Sequence, residues 1–155
     1  MTSIDRAVVL AAGEGRRTRP LTRYQPKPML RVAGRPILEY PLDALADSGV
    51  ESVVLVVGHA KNRIQNHFES SYRNLDLTYV TQSTQLGSGH ALQAAAEYAG
   101  ETFLVVNGDN VFTESLRPVV RALDRDGVDG ALAVEEVSRE AARRTGVIET
   151  ANGAV

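Results

Sequence analysis

The chain has 155 residues, of which 43% are hydrophobic, and a formal net charge of -2. That length supports one folded domain with a proper core rather than two, and the balanced charge gives no field that would draw in nucleic acid or an anionic membrane. There is no cysteine for a disulfide framework or a thiolate metal site, no apolar run of membrane-spanning length, and the start of the chain passes through Asp5 and Arg6 into a strand rather than through a signal peptide, so a cytoplasmic location is expected.

Taken in chain order, strand and helix signals alternate. Ala7 to Ala11 reads as a buried strand broken at Gly13 and Gly15, and an irregular stretch with Pro20, Pro26 and Pro28 follows. Ile37 to Ala46 carries apolar residues on a helical period and stops at Gly49. Ser52 to Val57 is a continuous apolar run, which suits a strand covered on both faces. A short helix over Lys61 to Phe68, a strand over Leu77 to Thr81 and an alanine-rich helix over Gly89 to Ala99 come next. Phe103 to Asn107 reads as a fourth strand buried on both faces, Glu114 to Asp126 as an amphipathic helix and Gly130 to Val137 as a further strand. This order predicts an α/β fold, a Rossmann-like, mostly parallel open sheet with helices on both faces.

Between Arg16 and Arg35 stand Arg16, Arg17, Arg19, Arg23, Lys27, Arg31 and Arg35, with no acid among them. A glycine turn leaving a strand exposes N–H groups that bind anions, and neighbouring arginines add bidentate donors for phosphate. The run also fits a solvated basic loop. A dinucleotide fingerprint would place a third glycine where Thr18 stands, and the phosphate-loop pattern ending in Gly-Lys-Ser/Thr is absent. Ligands of open α/β sheets sit beyond the carboxyl ends of the strands. Here those ends carry the basic glycine loop, Gly58-His59, Gln82 and Gly108-Asp109-Asn110. An acid after a glycine at a strand end fits an Asx turn or helix cap, and it also fits a hard cation such as Mg²⁺. The segment Gln82 to Ala91 reads as a polar loop opening a helix, whose Gly87 and Gly89 let backbone approach a flat ligand. His59, His67 and His90 show no ligand spacing, so a structural role beside the helix suits His90.

The segment LAAGEGRRTRPLTRYQPKPML resembles the signature of the sugar-1-phosphate nucleotidylyltransferases, with Leu10, Ala11, Ala12, Gly13, Gly15, Arg17, Pro20, Leu21, Thr22, Pro26, Lys27, Pro28 and Met29 in register. Arg16 departs from it, since the family usually has threonine there. Gln82 to Ala91 is similar to the family's base-contacting segment, and Gly108-Asp109-Asn110 to its metal-binding one. The closest likeness is to the thymidylyl- and uridylyltransferases of the glucose and N-acetylglucosamine branch. The resemblance implies a nucleotide-diphospho-sugar transferase fold and nucleotidyl transfer from dTTP or UTP to a sugar-1-phosphate. It implies nucleotide contacts at Leu10, Ala11, Ala12, Gly13, Gly15, Gln82, Gly87, Ser88 and Gly108, Mg²⁺ on Asp109, and catalytic cations at Arg17 and Lys27. Arg17 would grip the triphosphate and Lys27 would neutralise the attacking sugar phosphate. The nucleophile is already anionic, so no Ser-His pair or strong base is required.

Gly146 to Glu149 alternates like a strand, and Ala151-Asn152-Gly153 is a hairpin-turn signal. Gly146 matches the family's glycine near the sugar, whereas the later glutamate-lysine-proline motif and second metal ligand of the family are not present. The expectation is one catalytic domain over residues 1–155, truncated on its sugar-binding side, from a protein that forms homo-oligomers at full length. Two alternatives stay open: a non-catalytic nucleotide-binding subunit or sensor of the same fold, and an unrelated dinucleotide-binding protein.

Overall fold

Successive residues of a strand point to opposite faces, so an unbroken apolar run needs cover on both. The computed structural model, which describes residues 4–13, 15–58, 61–125 and 127–148, supplies that cover for the central strands. The strands are β1 (Arg6–Ala11), β2 (Arg31–Val32), β3 (Arg35–Pro36), β4 (Ser52–Val57), β5 (Ser71–Tyr72), β6 (Leu75–Thr81) and β7 (Leu104–Asn107). The helices are α1 (Glu39–Asp47), α2 (Lys61–Phe68), α3 (Ser88–Ala99), α4 (Arg117–Ala122) and α5 (Arg139–Ala142). The main sheet runs in the order β5-β6-β4-β1-β7, and β2 and β3 form a separate hairpin. β6, β4, β1 and β7 are parallel, while β5 adds an antiparallel edge. The mostly parallel open sheet expected from the sequence is therefore present.

One face of the sheet packs Ala7, Val9, Val53, Leu55 and Val57 against Leu38, Leu42 and Leu45 from the α1 side and Ile64 and Phe68 from α2. On the other face Val8, Val54 and Val56 meet Ala91, Ala95 and Ala99 of α3. These alanines recur every fourth residue, so they form one stripe along the helix, and their small side chains let it lie close over β1 and β4. A cationic network ties the outer elements to α1. Asp43 accepts hydrogen bonds from Arg35 of the β2–β3 hairpin and from Tyr72 and Arg73 of the β5 turn. Burial pushes the Asp43 carboxyl up, but the bonds from Arg35, Arg73 and Tyr72 outweigh it and hold its pKa below the ordinary value.

Three expectations are corrected. β7 is not buried on both faces: Leu104 and Val106 are buried while Val105 is 45% exposed, because β7 lies at the sheet edge and α3 packs over β1 and β4 instead. Residues 130–137 form no strand; Leu132, Val134 and Val137 are exposed, and among the described residues no strand offers this segment a ladder. Alternation alone cannot make a strand without an edge to pair with and a face to cover. The helix expected over Glu114 to Asp126 shrinks to Arg117–Ala122, with Pro118 in its first turn. Asp126, Glu149 and the turn at Ala151-Asn152-Gly153 lie outside the described residues, while Gly146, Val147 and Ile148 are exposed and irregular.

Candidate functional site

The strand order reverses at β1, whose next parallel strand in sequence, β4, lies on one side and β7 on the other. Such a switch point leaves a crevice beyond the carboxyl ends of the two strands. Ladder bonds carry the sheet's precision just past these ends. Gly108 N donates to Leu10 O at 2.9 Å and Gln82 N donates to Val57 O at 2.8 Å. Asp109 therefore sits one residue beyond a backbone anchor, and Gln82 is itself one. Gly108 is buried, and a Cβ there would lie 3.1 Å from Ala11 Cβ and 3.2 Å from Leu10 O.

The basic loop folds as three successive 3-10 turns, Arg16–Thr18, Leu21–Arg23 and Lys27–Met29. Its hub is Gly15, which has φ +60°, a conformation that costs an L side chain about 1–2 kcal/mol. The Gly15 carbonyl accepts from Thr18 N at 3.0 Å, Thr18 Oγ1 at 2.8 Å and Thr22 Oγ1 at 2.7 Å. A Cβ at Gly15 would lie 2.8 Å from Thr22 Cγ2 and 3.1 Å from Lys27 Cβ, so the turn closes only around glycine. A left-handed residue feeding a helical turn is the kind of backbone that forms an anion-binding concavity.

The opposite wall comes from the loop between β6 and α3. Gln82 is 5% exposed, and its Nε2 lies 3.1 Å from Gly87 O and 3.0 Å from His90 Nδ1. This holds the Gly87-Ser88 edge against the strand end, and it gives His90 the structural role expected of it. Gln85 Nε2 donates to Ala12 O at 2.5 Å and joins the two walls.

Together these elements enclose a cavity of about 460 Å³. Leu10, Ala11, Ala12, Gly13, Gly15, Arg17, Lys27, Gln82, Gly87, Ser88 and Asp109 all line it. Gly108 stands behind Asp109 and does not line the cavity, and neither does the exposed Gly146. His59 lies outside the described residues. Lys27 Nζ pairs with Asp109 Oδ2 at 2.5 Å, with the two side chains 35% and 34% exposed. Sequence reasoning gave no role to Thr18, Thr22, Gln85 or Asn107, which brace or line the cavity. Thr22 lay within the recognised motif, and a hydroxyl near a glycine turn was the available signal. Among the described residues no group of three or more His, Asp or Glu could hold a metal ion. Asp109 thus offers one carboxylate at the lip of a cavity, which fits Mg²⁺ because that ion characteristically takes one or two carboxylates plus substrate phosphates. Among the described residues no helix is long and apolar enough to cross a membrane.

The pattern of the nucleotidyl transferase family matches residues 6–155. The UTP--glucose-1-phosphate uridylyltransferase AglF of Haloferax volcanii is 44% identical over 144 residues, covering 93% of this chain and 59% of that protein. The bifunctional protein GlmU of Methanococcus maripaludis is 40% identical over 114 residues, covering 74% of this chain and 27% of that one. A UDP-glucose pyrophosphorylase structure from Acinetobacter baumannii superposes with a TM-score of 0.73 at 25% identity, covering 79% of this chain and 53% of that chain. The chain spans 27–59% of the length of these three proteins.

Proposed function

The chain belongs to the nucleotidyl transferase family, and on that premise we propose that it provides the nucleotide side of an enzyme transferring a nucleotidyl group from a pyrimidine triphosphate to a sugar-1-phosphate. UTP is the first candidate donor and glucose-1-phosphate the first acceptor, because the AglF relative carries both in its name; dTTP is the second donor to test. The observation that carries the reading is the convergence of Gly15, Arg17, Lys27, Gln82 and Asp109 on one cavity at the switch point of the sheet.

The base is assigned to the wall of Leu10, Gln82 and Gly87, where apolar surface and amide groups face a flat ligand. The triphosphate is assigned to the Gly13–Arg17 turn. Among the described residues the guanidinium of Arg17 has no carboxylate partner, so its charge is available for the β- and γ-phosphates and then for the departing pyrophosphate. A sugar phosphate oxygen attacks the α-phosphorus, the bond to the bridging oxygen breaks, and pyrophosphate leaves with that electron pair. No proton has to move from the nucleophile. The work left to the protein is alignment of two anions and stabilisation of developing charge. Lys27 meets the sugar phosphate once it leaves Asp109. Mg²⁺, held by Asp109 and the phosphates, would supply further charge neutralisation when bound. The reaction is assigned to the cytoplasm, where nucleoside triphosphates are made.

The test follows pyrophosphate release from UTP or dTTP with glucose-1-phosphate and Mg²⁺, beside melting-temperature shifts with UTP, dTTP, GTP and NAD. A selective shift with UTP or dTTP that Asp109→Ala weakens supports the reading. A shift with NAD alone, or with no triphosphate, refutes it.

A further inference from the structure

The basic loop borders two hollows, and nucleotidyl transfer uses one of them. Next to the first, and sharing Ala11, Ala12 and Gly13 with it, lies a second cavity of about 270 Å³, lined also by Arg19, Arg23, Tyr24 and Gln25 together with Gly58 and Ile64. Its volume falls just under the usual range for small-molecule pockets, about 300–1,000 Å³, so it suits a ligand smaller than a nucleoside triphosphate. Its floor is tight: a Cβ at Gly58 would lie 2.7 Å from Ala12 O.

The charge of this cavity is one-sided. Arg19 and Arg23 both line it, and no Asp or Glu does so among the described residues. Nor does either guanidinium form an ion pair with a carboxylate among those residues, whereas Arg35 and Arg73 of the same chain each find acids on α1. The Arg23 guanidinium rests 5.6 Å from the centre of the Tyr24 ring, within cation–π range. Planar donors of this kind recognise phosphate bidentately. Beside them, buried Ile64 and the ring of Tyr24 offer apolar surface for a carbon body, and Gln25 offers an amide for hydroxyls.

We propose that this second cavity is a binding site for a small phosphate-bearing metabolite, a phosphate ester of hexose size or the free phosphate group itself, held by Arg19 and Arg23 and separate from the nucleotide. Ala11, Ala12, Gly13 and Gln85 line both cavities, so the two ligands share one stretch of backbone.

The test is direct binding and needs no turnover, so its failure is distinct from failure of the transferase reading. Full-length protein is titrated calorimetrically with glucose 6-phosphate, and separately with inorganic phosphate, with and without saturating UTP. Binding that persists under UTP, weakens at least tenfold in Arg19→Ala and Arg23→Ala, is partly restored in Arg23→Lys and is unchanged in Arg17→Ala is the expected result. Equal affinity for the two titrants assigns the site to free phosphate; tighter binding of the ester assigns it to the sugar phosphate. Absence of binding, displacement by UTP, or loss in Arg17→Ala equal to that in Arg23→Ala overturns the proposal. Melting curves of each variant verify that lost binding is not lost folding.

Discussion

Replacing Lys27 by methionine separates what this side chain does for the fold from what it does for the reaction. Among the described residues it makes one ion pair, with Asp109, and both side chains are about a third exposed at 35% and 34%. A pair so wet contributes about 0.2–1 kcal/mol. For a domain of this size each kcal/mol moves the melting temperature by roughly 2–4 °C, so Lys27→Met should melt within about 4 °C of the parent. Methionine also keeps the aliphatic stem that packs near Gly15. The catalytic loss is of another order: the cation that holds the attacking phosphate in line is an alignment device, and a misplacement of about 1 Å costs on the order of 10²-fold in rate. Lys27 also competes for the carboxylate that would hold the metal, so its removal should tighten divalent binding. Pyrophosphate release gives the rate, a melting curve gives the stability, and titration with Mn²⁺ followed by electron paramagnetic resonance gives the metal affinity. A kcat within threefold of the parent, or a rate loss that merely tracks the unfolded fraction, would refute the assignment of Lys27 to the sugar phosphate. Weaker Mn²⁺ binding in the variant would refute the competition.

Gly15→Ala should weaken UTP binding at least tenfold and lower the melting temperature by roughly 4 °C or more. The left-handed φ costs about 1–2 kcal/mol and the contact with Thr22 about 1–3 more, in a turn that buries none of its own residues; unaltered UTP affinity by calorimetry would count against the turn as the phosphate cradle. Gln82→Leu keeps the bulk but strands Gly87 O and His90 Nδ1, so UTP affinity should fall about tenfold or more, and an unchanged titration would remove Gln82 from the site. Asp43→Asn tests the scaffold. The folded-state pKa of Asp43 is depressed, so its stabilisation is present above its unfolded value near 4 and fades as pH falls below it. The variant should be about 1–2 kcal/mol less stable at pH 7, with the gap closing below about pH 4 in urea titrations; a gap independent of pH would mean that the carboxylate charge is not what holds the hairpin.

What was legible in the sequence follows a physical rule. The strand over Ser52 to Val57 and the helix over Lys61 to Phe68 were readable because each pattern is satisfied by local period plus cover on the right faces. The cavity walls were readable because the sheet delivers Ala11, Gln82 and, one residue past Gly108, Asp109 to one edge, and a parallel sheet exposes only the ends of its strands there. The segment at Gly130 to Val137 was misread because its alternation matches a strand while its pairing depends on an edge that composition cannot supply. Val105 was misread because a run of apolar residues says nothing about which strand ends up outermost. The bonds of Gln82 and Gln85 were out of reach, since a buried amide and an exposed one look alike in sequence.

The basic run shows the same limit from the side of charge. From Arg16 to Arg35 the cations look equivalent, and only the fold sorts them. Arg35 is drawn onto α1 by Asp43 and Glu39 and lies 4.2 Å from the centre of the Tyr40 ring, and Arg31 caps its own turn through Gly34 O. These are structural charges, and hairpin placement depends on them. Lys27 is paired, but across the mouth of the cavity, with the residue best suited to a metal. Arg17, Arg19 and Arg23 are left without a carboxylate among the described residues, crowded on one short loop where they repel one another. Exchanging any one of them for a neutral residue would relieve part of that repulsion. On the reading proposed above, bound phosphate offsets that repulsion at the two cavities these side chains border.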